Sequence, residues 1–276
     1  MDEMIFMRIA YDIIGSKEKS VALLGVNIKN PKKIAKEIMK RHKAVKSVLQ
    51  KLSERKDVFR LYPCKLLAGE KNTEVIHKEY GYSLKIDPQK AYFSPRESTE
   101  RQRIAEMVKP REEVLVMFSG VCPYPIAIAK KQTLVSKVYA VEINPAAHKY
   151  ALENIKLNHV EKKIIPILRD VRKVKGIGKV DRIVMPLVEK AIDYLDVAFS
   201  HSKKGTIIHL YGLSNEKFKD FEEKVKEIAK KHEIKYKIVG RQDVLPYAPR
   251  IKKVRLDIKI IYSDCNLTSS KLIFTA

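Results

Sequence analysis

Residues 113–146 have the residue types and the spacing best suited to bind a small molecule. An apolar run from Val114 to Phe118 predicts a buried strand, which breaks at the turn Ser119-Gly120. A second apolar run, residues 138–141, ends on the acid Glu142. A glycine turn lets backbone N–H groups come close to a ligand, and an acid after the next strand accepts hydrogen bonds from ribose hydroxyls. This order indicates a site for a cofactor that contains a nucleoside.

The sequence of the turn limits which cofactors it could bind. It has no G-x-G-x-x-G, and Cys122 stands where a second glycine is expected. NAD and FAD therefore lose the element that binds their phosphates. S-adenosylmethionine has no phosphate and tolerates a looser turn beside an acid that binds ribose. The alternative is an ordinary strand–helix–strand unit in which Glu142 ends a strand by chance.

Two later turns extend the predicted site. Asp170 follows the apolar run 164–168, and Met185-Pro186-Leu187 closes the run that begins at Asp181. Ligands of open α/β sheets bind outside the carboxyl ends of the strands, so these turns should lie beside Glu142. An acid after the third strand suits the adenine amino group, while a helix cap or a turn aspartate is the alternative for Asp170.

The charge balance predicts a polyanionic partner. The 276 residues include 56 Lys and Arg against 33 Asp and Glu, a formal net charge of +23. Such an excess favours binding to nucleic acid. A lysine-rich or heat-adapted surface is the alternative, although such surfaces usually carry many acids as well. The apolar content of 45% is enough for a packed core and argues against wholesale disorder.

The cysteines and histidines argue against a bound metal. Cys64, Cys122 and Cys265 are far apart and form no C-x-x-C pair, which indicates a reducing compartment and no structural zinc. The seven histidines show no H-E-x-x-H or similar ligand spacing. No apolar run reaches the length of a membrane span, and the N-terminus has no signal-peptide pattern. We therefore expect a cytoplasmic protein with no metal and no membrane partner.

The apolar runs predict two domains. Residues 1–88 combine strands with a helix that starts at Asn30-Pro31, which is typical of a small α+β domain. The strands predicted there are 7–14, 20–26, 57–61, 73–78 and 82–86. Residues 89–276 alternate helices with strands and end in a strand pair. This pattern predicts the α/β class, with a mostly parallel, Rossmann-like sheet and an antiparallel edge hairpin.

Nine short motifs follow one another from about residue 8 to residue 260. They are LAGE (67–70), IHKEYG (76–81), YFSPR (92–96), TER (99–101), MFSGV-x-PY (117–124), EINP (142–145), ILRDVR (167–172), MPL (185–187) and YAPR (247–250). In this order they resemble the archaeal and eukaryotic tRNA (guanine-37-N1)-methyltransferase family. The resemblance implies a class I methyltransferase fold, S-adenosylmethionine as cofactor, and methylation of guanosine 37 of tRNA, beside the anticodon.

The resemblance also implies two catalytic residues. Glu100, in T-E-R, would be the general base that removes the proton from guanine N1, which must be lost before N1 acts as a nucleophile. Arg60, which follows an aromatic residue ahead of L-A-G-E, would stabilise charge near O6 of the purine. Taken alone, Glu100 is better explained as a helix acid in the first turn, and Arg60 as one more surface arginine of a basic chain.

The motifs and the turns after the strands together supply the predicted ligand contacts. The cofactor-binding residues are Tyr92, Phe118, Gly120, Val121, Pro123, Glu142, Ile143, Asn144, Asp170, Val171 and Met185. The substrate-binding residues are Arg101, Pro186 and Tyr247. Tyr92 could hold the cofactor or stack on the flipped base, whereas a lone tyrosine there is typical of a core position.

Three positions depart from the family pattern. Val116 stands where an aspartate usually precedes M-F-A-G, Cys122 where a second glycine is usual, and Pro186 where many members have an asparagine that contacts the base. The last change leaves the modified atom open. The alternatives are a second methylation of a wyosine intermediate, transfer of an aminocarboxypropyl group from the same cofactor, and, in another class, RNA binding with a decayed cofactor site.

The expected partner is tRNA, bound by a monomer at the anticodon stem-loop, where guanosine 37 lies. Many family members have an additional N-terminal domain that grips the outer corner of tRNA, but the start of this chain resembles their middle domain. We therefore expect the basic residues of the chain to supply the grip instead.

Overall fold

Two sheets and a hairpin make up the part of the chain that the computed structural model describes, residues 10–55, 58–215 and 217–262. A single hydrophobic cluster joins all three, since it includes Val21 of the first sheet, Leu84 of the hairpin and Val116 of the second sheet. Each of these three side chains has no exposed surface. The two predicted domains are therefore in contact through their cores.

The N-terminal part is a four-stranded sheet with one helix packed on it. Its elements, in chain order, are β1 (Tyr11–Gly15), β2 (Ser20–Leu24), α1 (Pro31–Arg41), β3 (Val45–Lys51) and β4 (Cys64–Gly69). The strands lie in the order β1-β2-β3-β4. Strands β2 and β3 are parallel, and the other two pairs are antiparallel. A parallel pair needs a crossover connection, and α1 supplies it.

Helix α1 begins where the sequence predicts it. Pro31 occupies the first helical turn, where its missing N–H would have had no partner within the helix. Ile34, Ala35 and Ile38 are buried on the face that packs against the sheet. The lysines of the opposite face are exposed: Lys32, Lys33, Lys36 and Lys40.

The second sheet has seven strands and carries the predicted site. After helix α2 (Ser98–Met107) the elements are β7 (Glu113–Val116), α3 (Pro123–Lys131), β8 (Lys137–Glu142), α4 (Pro145–Leu157), β9 (Ile164–Leu168), β10 (Val180–Met185), α5 (Leu195–Ser200), β11 (Ser202–Ser214), α6 (Lys219–Lys231), β12 (Lys235–Ala248) and β13 (Ile251–Tyr262). The strand order is β12-β13-β11-β10-β7-β8-β9. Five strands are parallel, and β13 runs antiparallel to both of its neighbours. The predicted fold class is therefore confirmed.

The hairpin of β5 (Val75–Glu79) and β6 (Tyr82–Ile86) is fastened to helix α4 by side-chain amides. Asn154 accepts a hydrogen bond from the Lys85 N–H at 2.6 Å and donates one to the Lys85 carbonyl at 3.1 Å. Asn158 makes the same pair of bonds with the backbone of Ser83. Because buried backbone groups need partners, these two amides take the place of a further strand beside β6.

The prediction of a strand at 57–61 is wrong. Residues 58–60 form a turn in which Arg60 has a φ of 57°, and the side chains of Val58 and Phe59 are largely exposed instead of packed in a sheet. Strands β3 and β4 were not predicted from the sequence. Of the predicted strands, residues 7–9 and residue 57 lie outside the described part of the chain, as does Cys265.

Within the described residues, no helix combines the length and apolarity needed to cross a membrane. In the same residues, no three His, Cys, Asp or Glu side chains are grouped so that they could hold a metal ion. Cys64 and Cys122 are free thiols.

Candidate active site

The turn after β7 takes backbone conformations that few side chains adopt. Phe118, Gly120 and Cys122 have positive φ angles of 56°, 56° and 68°. Gly120 occupies this region at no steric cost, and the space beside it is open, since a Cβ there would meet only the Tyr92 carbonyl oxygen at 3.8 Å. Cys122 thus departs from a glycine in its side chain while keeping the left-handed backbone that favours one.

Glu142, the last residue of β8, joins the turn after β7 to the start of α4. Its Oε2 accepts a hydrogen bond from the Gly120 N–H at 2.7 Å, and its Oε1 accepts from the N–H groups of Ile143 and Asn144 at 2.9 and 2.7 Å. Burial raises the pKa of this carboxyl group, while these three hydrogen bonds oppose the rise. A carboxylate oxygen has two lone pairs, so Oε2 can accept a second hydrogen bond from a ligand hydroxyl.

Asp170 and two aromatic rings form the opposite wall. Asp170 accepts hydrogen bonds from the N–H and the guanidinium of Arg172 at 3.0 and 2.9 Å, and the side-chain bond lowers the pKa of Asp170. The rings of Phe118 and Tyr194 meet edge to face with centroids 4.9 Å apart. Asp170 therefore serves as the cap of a short 3₁₀ turn and is held as a carboxylate beside an apolar surface.

Two adjoining cavities open at this end of the sheet. The strand-end cavity has a volume of about 130 Å³, and the neighbouring cavity has a volume of about 440 Å³. The residues that line both are Arg55, Arg60, Tyr92 and Val188. The predicted residues that line the strand-end cavity alone are Phe118, Gly120, Glu142, Ile143, Asn144, Asp170, Val171 and Pro186. Of the predicted residues, Tyr247 lines the neighbouring cavity alone.

Arg60 stands where the two cavities meet. Its Nη2 lies 2.8 Å from Oε2 of Glu189, and the Tyr247 hydroxyl donates a hydrogen bond to Oε1 of Glu189 at 2.7 Å. The Arg55 guanidinium lies over the ring of Tyr92, 4.5 Å from its centroid. Two predicted residues far apart in the chain, Arg60 and Tyr247, are thus brought together by one carboxylate.

Glu100 lies behind the neighbouring cavity and does not line it. Its side chain is 3% exposed, and its Oε1 accepts a hydrogen bond from the Tyr211 hydroxyl at 2.7 Å and another from Arg255. Arg103 donates to its other oxygen. Glu100 is therefore held as a partner of two arginines, and its role as a base stays a prediction.

Four other predicted residues lie outside both cavities. Arg101 is buried and donates two hydrogen bonds to Glu79, each 2.6 Å long. Val121 and Met185 have no exposed surface and belong to the hydrophobic core, and Pro123 begins helix α3. The assignment of these four residues as contact residues stays a prediction.

Several residues that line the cavities were not predicted from the sequence. Arg55 and Tyr194 carry no motif, because only the tertiary structure brings them to a cavity wall. Glu97 and Lys253 are the buried charged residues of the neighbouring cavity. A signal for Glu97 did exist, since it lies one helical turn before Glu100 and therefore on the same face.

Comparison with known proteins agrees with this geometry. Residues 75–239 match the model of the TRM5/TYW2 methyltransferase domain. The chain is 38% identical over 262 residues to the tRNA (guanine(37)-N(1))-methyltransferase Trm5b of Pyrococcus abyssi, covering 93% of this chain and 76% of that protein. The crystal structure of Pyrococcus abyssi Trm5b superimposes with a TM-score of 0.82 at 36% identity, over 95% of this chain and 79% of that one.

Two further matches come from Methanocaldococcus jannaschii. A tRNA(Phe) (4-demethylwyosine(37)-C(7)) aminocarboxypropyltransferase is 36% identical over 226 residues, covering 81% of this chain and 89% of that protein. The crystal structure of TYW2 in complex with AdoMet has a TM-score of 0.68 at 30% identity, over 91% of this chain and 99% of that one. The strand order, the turn around Gly120 and these matches lead to one conclusion: the chain belongs to the TRM5/TYW2 methyltransferase family.

Proposed function

We propose that the chain is a tRNA methyltransferase that transfers a methyl group from S-adenosylmethionine to N1 of guanosine 37. One observation carries the proposal: the strand-end cavity and the neighbouring cavity share a wall made by Arg55, Arg60, Tyr92 and Val188. A cofactor in the first cavity and a purine in the second would meet at this wall. The name of the Pyrococcus abyssi relative supports the choice of base and of atom.

The donor set of the strand-end cavity fits S-adenosylmethionine. Glu142 offers an acceptor for ribose hydroxyls, and Asp170 offers one for the adenine amino group. Phe118 and Tyr194 supply an apolar surface for the adenine ring. When bound, the cofactor supplies a methyl group on a positively charged sulfur.

Three residues of the chain would position the guanine and prepare its N1 to attack the methyl group. Tyr92 lines both cavities, where its ring would hold the base in line with the donor, and such positioning supplies much of the acceleration in group transfer. Arg60 would place its guanidinium near O6, where charge accumulates once N1 loses its proton. Glu100 would accept that proton, which requires its carboxylate to leave the Tyr211 and Arg255 contacts described above.

Transfer of an aminocarboxypropyl group is the second candidate. Pro186 has no side-chain amide at the position where many methyltransferases of the family carry a base-contacting asparagine. The Methanocaldococcus jannaschii aminocarboxypropyltransferase is covered over 89% of its length. A second methylation of a wyosine intermediate would use the same cavities and remains an extension of the first candidate.

Nucleoside mass spectrometry decides between the two activities. The purified protein is incubated with an unmodified tRNA transcript and labelled S-adenosylmethionine, and the digested nucleosides are weighed. A mass gain of one methyl group at guanosine 37 supports the proposal, and a gain of one aminocarboxypropyl group supports the alternative. No gain, with no heat of binding between protein and cofactor in calorimetry, would contradict both and favour a decayed site.

The same proposal assigns the parts of the chain and its setting. Residues 1–88 would form an α+β domain that contacts tRNA, and residues 89–276 the catalytic domain. The formal net charge of +23 supports binding to the anticodon stem-loop. We further propose that the protein acts as a monomer in the cytoplasm, where tRNA is its partner.

A further inference from the structure

A basic groove, the hairpin groove, is separated from the neighbouring cavity by the hairpin of β12 and β13. It has a volume of about 800 Å³ and is lined by the end of β11, the turn before α6 and the hairpin itself. Its charged lining residues, within the described part of the chain, are four cations and one acid: Lys217, Arg241, Arg250, Lys252 and Asp243. The site described above uses none of these five side chains.

The two sides of the hairpin face different spaces. In β13, Lys253 lines the neighbouring cavity, whereas Lys252 and Val254 line the hairpin groove, as expected from the alternation of side chains along a strand. Pro246 and Ala248 line both spaces. A polymer that leaves the neighbouring cavity across the tip of the hairpin would therefore enter the hairpin groove.

Strand β12 changes sides at an irregularity. Its pairing with β13 shifts in register between Asp243 and Leu245, and such a shift redirects the side chains that follow it. Before the shift, Arg241 and Asp243 line the hairpin groove, and after it Leu245 and Tyr247 line the neighbouring cavity. The hairpin thus presents Tyr247 to the cavity and keeps its charged residues for the groove.

The hairpin groove lies at the same end of the central sheet as the two cavities. Ser214, the last residue of β11, lines the groove and pairs with Lys252. Strand β11 is parallel to β10, which ends at Met185. The carboxyl ends of parallel strands meet at one edge of a sheet, so one extended ligand could contact all three spaces.

Two of the four cations are already compensated. Arg241 donates a hydrogen bond to Oε2 of Glu222 at 3.0 Å, and Lys252 forms an ion pair with Asp243. These pairs neutralise the only acid among the described lining residues. The charge that remains in the groove is that of Lys217 and Arg250.

Lys217 and Arg250 are exposed and form no ion pair with any residue that the structure describes. The acid closest to Lys217 along α6, Asp220, accepts a hydrogen bond from the Ser214 hydroxyl. Both cations lie in turns with a left-handed backbone, at φ angles of 48° and 64°. Because tight turns fix the backbone at both positions, a ligand would order the two side chains at a reduced entropic cost.

We propose that the hairpin groove binds the phosphodiester backbone of tRNA beside the target nucleotide, with Lys217 and Arg250 as the phosphate contacts. The inference rests on the proposed function, since it needs the target nucleotide in the neighbouring cavity. A positively charged groove can follow a nucleic acid backbone whatever its sequence. The groove would therefore hold the strand in register while the cavity receives the base.

The test measures binding of an unmodified anticodon stem-loop by filter binding at several salt concentrations. The variant Lys217→Gln/Arg250→Gln removes both charges and keeps long polar side chains. The matched control is Arg111→Gln/Lys162→Gln, which removes the same two charges from exposed positions just before β7 and β9, at the opposite end of the sheet. Arg111 also matches Arg250 in backbone conformation, with a φ of 65°.

The groove variant should bind the stem-loop about 10-fold more weakly than the wild type at low salt, because two phosphate contacts are lost. The slope of log K against log salt should become shallower by about 1.5, since each contact contributes about 0.7–0.9. The control should retain the affinity and the slope of the wild type.

Neutral phosphates locate the contact. In a series of stem-loops, each linkage of the anticodon loop is replaced in turn by an uncharged methylphosphonate. At the linkages that the groove contacts, the replacement should weaken binding to the wild type and leave binding to the groove variant unchanged. Equal weakening of both proteins at every linkage would overturn the inference.

The inference would also be overturned if the groove variant bound with the affinity and slope of the wild type, or lost no more than the control. Methyl transfer to the stem-loop by the wild type, measured separately, would then leave the proposed function intact. A wild type that neither binds nor methylates the RNA would refute both. Calorimetry with S-adenosylmethionine checks folding, and its affinity should be unchanged because neither Lys217 nor Arg250 lines the strand-end cavity.

Discussion

The Nη2 of Arg60 lies 2.8 Å from Oε2 of Glu189, so one carboxylate holds the arginine of the turn at residues 58–60 against the end of the central sheet. The other oxygen of Glu189 accepts a hydrogen bond from Tyr247, near the tip of β12. Burial opposes ionisation of Glu189, but the Tyr247 hydrogen bond and the charge of Arg60 outweigh it and lower the pKa of its carboxyl group. A charged Glu189 thus orients Arg60 toward both cavities.

Replacement of Arg60 tests this arrangement. Arg60→Ala should reduce the single-turnover rate of methyl transfer by about 100-fold, the effect typical of one donor that stabilises developing charge. Arg60→Lys keeps the charge without the planar fork, so its rate should lie between those of the wild type and Arg60→Ala. If Arg60 acts on the base, both variants should keep the wild-type affinity for the cofactor. A wild-type rate of methyl transfer for Arg60→Ala would exclude Arg60 from catalysis.

Glu142→Ala should weaken binding of S-adenosylmethionine by about 100-fold, since hydrogen bonds to a charged acceptor contribute about 1.5–3 kcal/mol each. The measurement is isothermal calorimetry with the cofactor. Glu161→Ala is the control, because Glu161 is exposed and precedes β9 at the opposite end of the sheet. Equal affinities for the wild type and Glu142→Ala would show that the ribose is held elsewhere.

Glu100→Gln should lower the turnover of unmodified tRNA by about 100-fold or more, as expected for loss of a general base. Arg255 keeps a second partner, Asp257, at 2.8 Å, so the variant should fold. Rates are compared with those of Glu106→Gln, an exposed position on the same helix. An unchanged rate for Glu100→Gln would mean that Glu100 serves only the buried arginines.

The ionisation of Glu79 should make the free energy of unfolding depend on pH. Burial opposes its ionisation, but hydrogen bonds from His77 and Arg101 outweigh burial and lower its pKa from 4.5 to about 2. A group whose pKa is lowered on folding stabilises the protein above its unfolded pKa, and this contribution is lost as the pH falls through the folded pKa. The loss should amount to roughly 3 kcal/mol between about pH 5 and pH 2.

Chemical denaturation over this pH range measures the contribution of Glu79. The wild type should have a larger free energy of unfolding than Glu79→Gln. The difference between the two proteins should be largest at pH 5 and should shrink toward pH 2. Because other acids titrate equally in both proteins, the difference isolates Glu79. A gap that does not change with pH would mean that Glu79 is not ionised in the folded protein.

Binding of tRNA should weaken steeply with salt. Each phosphate neutralised by Lys or Arg contributes a slope of about 0.7–0.9 to the fall of log K with log salt. A contact surface that neutralises several phosphates should therefore give a slope steeper than about −3, measured by filter binding at several salt concentrations. A flat response would mean that the net charge of +23 plays no part in binding.

Local sequence patterns determined one part of the strand-end cavity, the glycine turn and the acid that faces it. The turn around Gly120 and the acid Glu142 stand at the ends of apolar runs, and the parallel order of β7 and β8 brings those ends together. Strand β3 was missed, although it is central in the first sheet. Its run, VKSVLQK, mixes lysines and polar residues with apolar ones. The apolar residues therefore do not alternate with the period of two that predicts a strand.

The neighbouring cavity was decided by the tertiary structure. In β13, Lys253, Arg255 and Asp257 alternate with apolar residues, a pattern typical of a strand with one face in water. The structure buries both faces, because the 3₁₀ turn Pro95–Glu97 and helix α2 lie against the charged one and supply Glu97 and Glu100 as partners. Glu100 and Arg255 are 155 positions apart. Periodicity reports which residues share a face, whereas the element that covers that face depends on how distant segments pack.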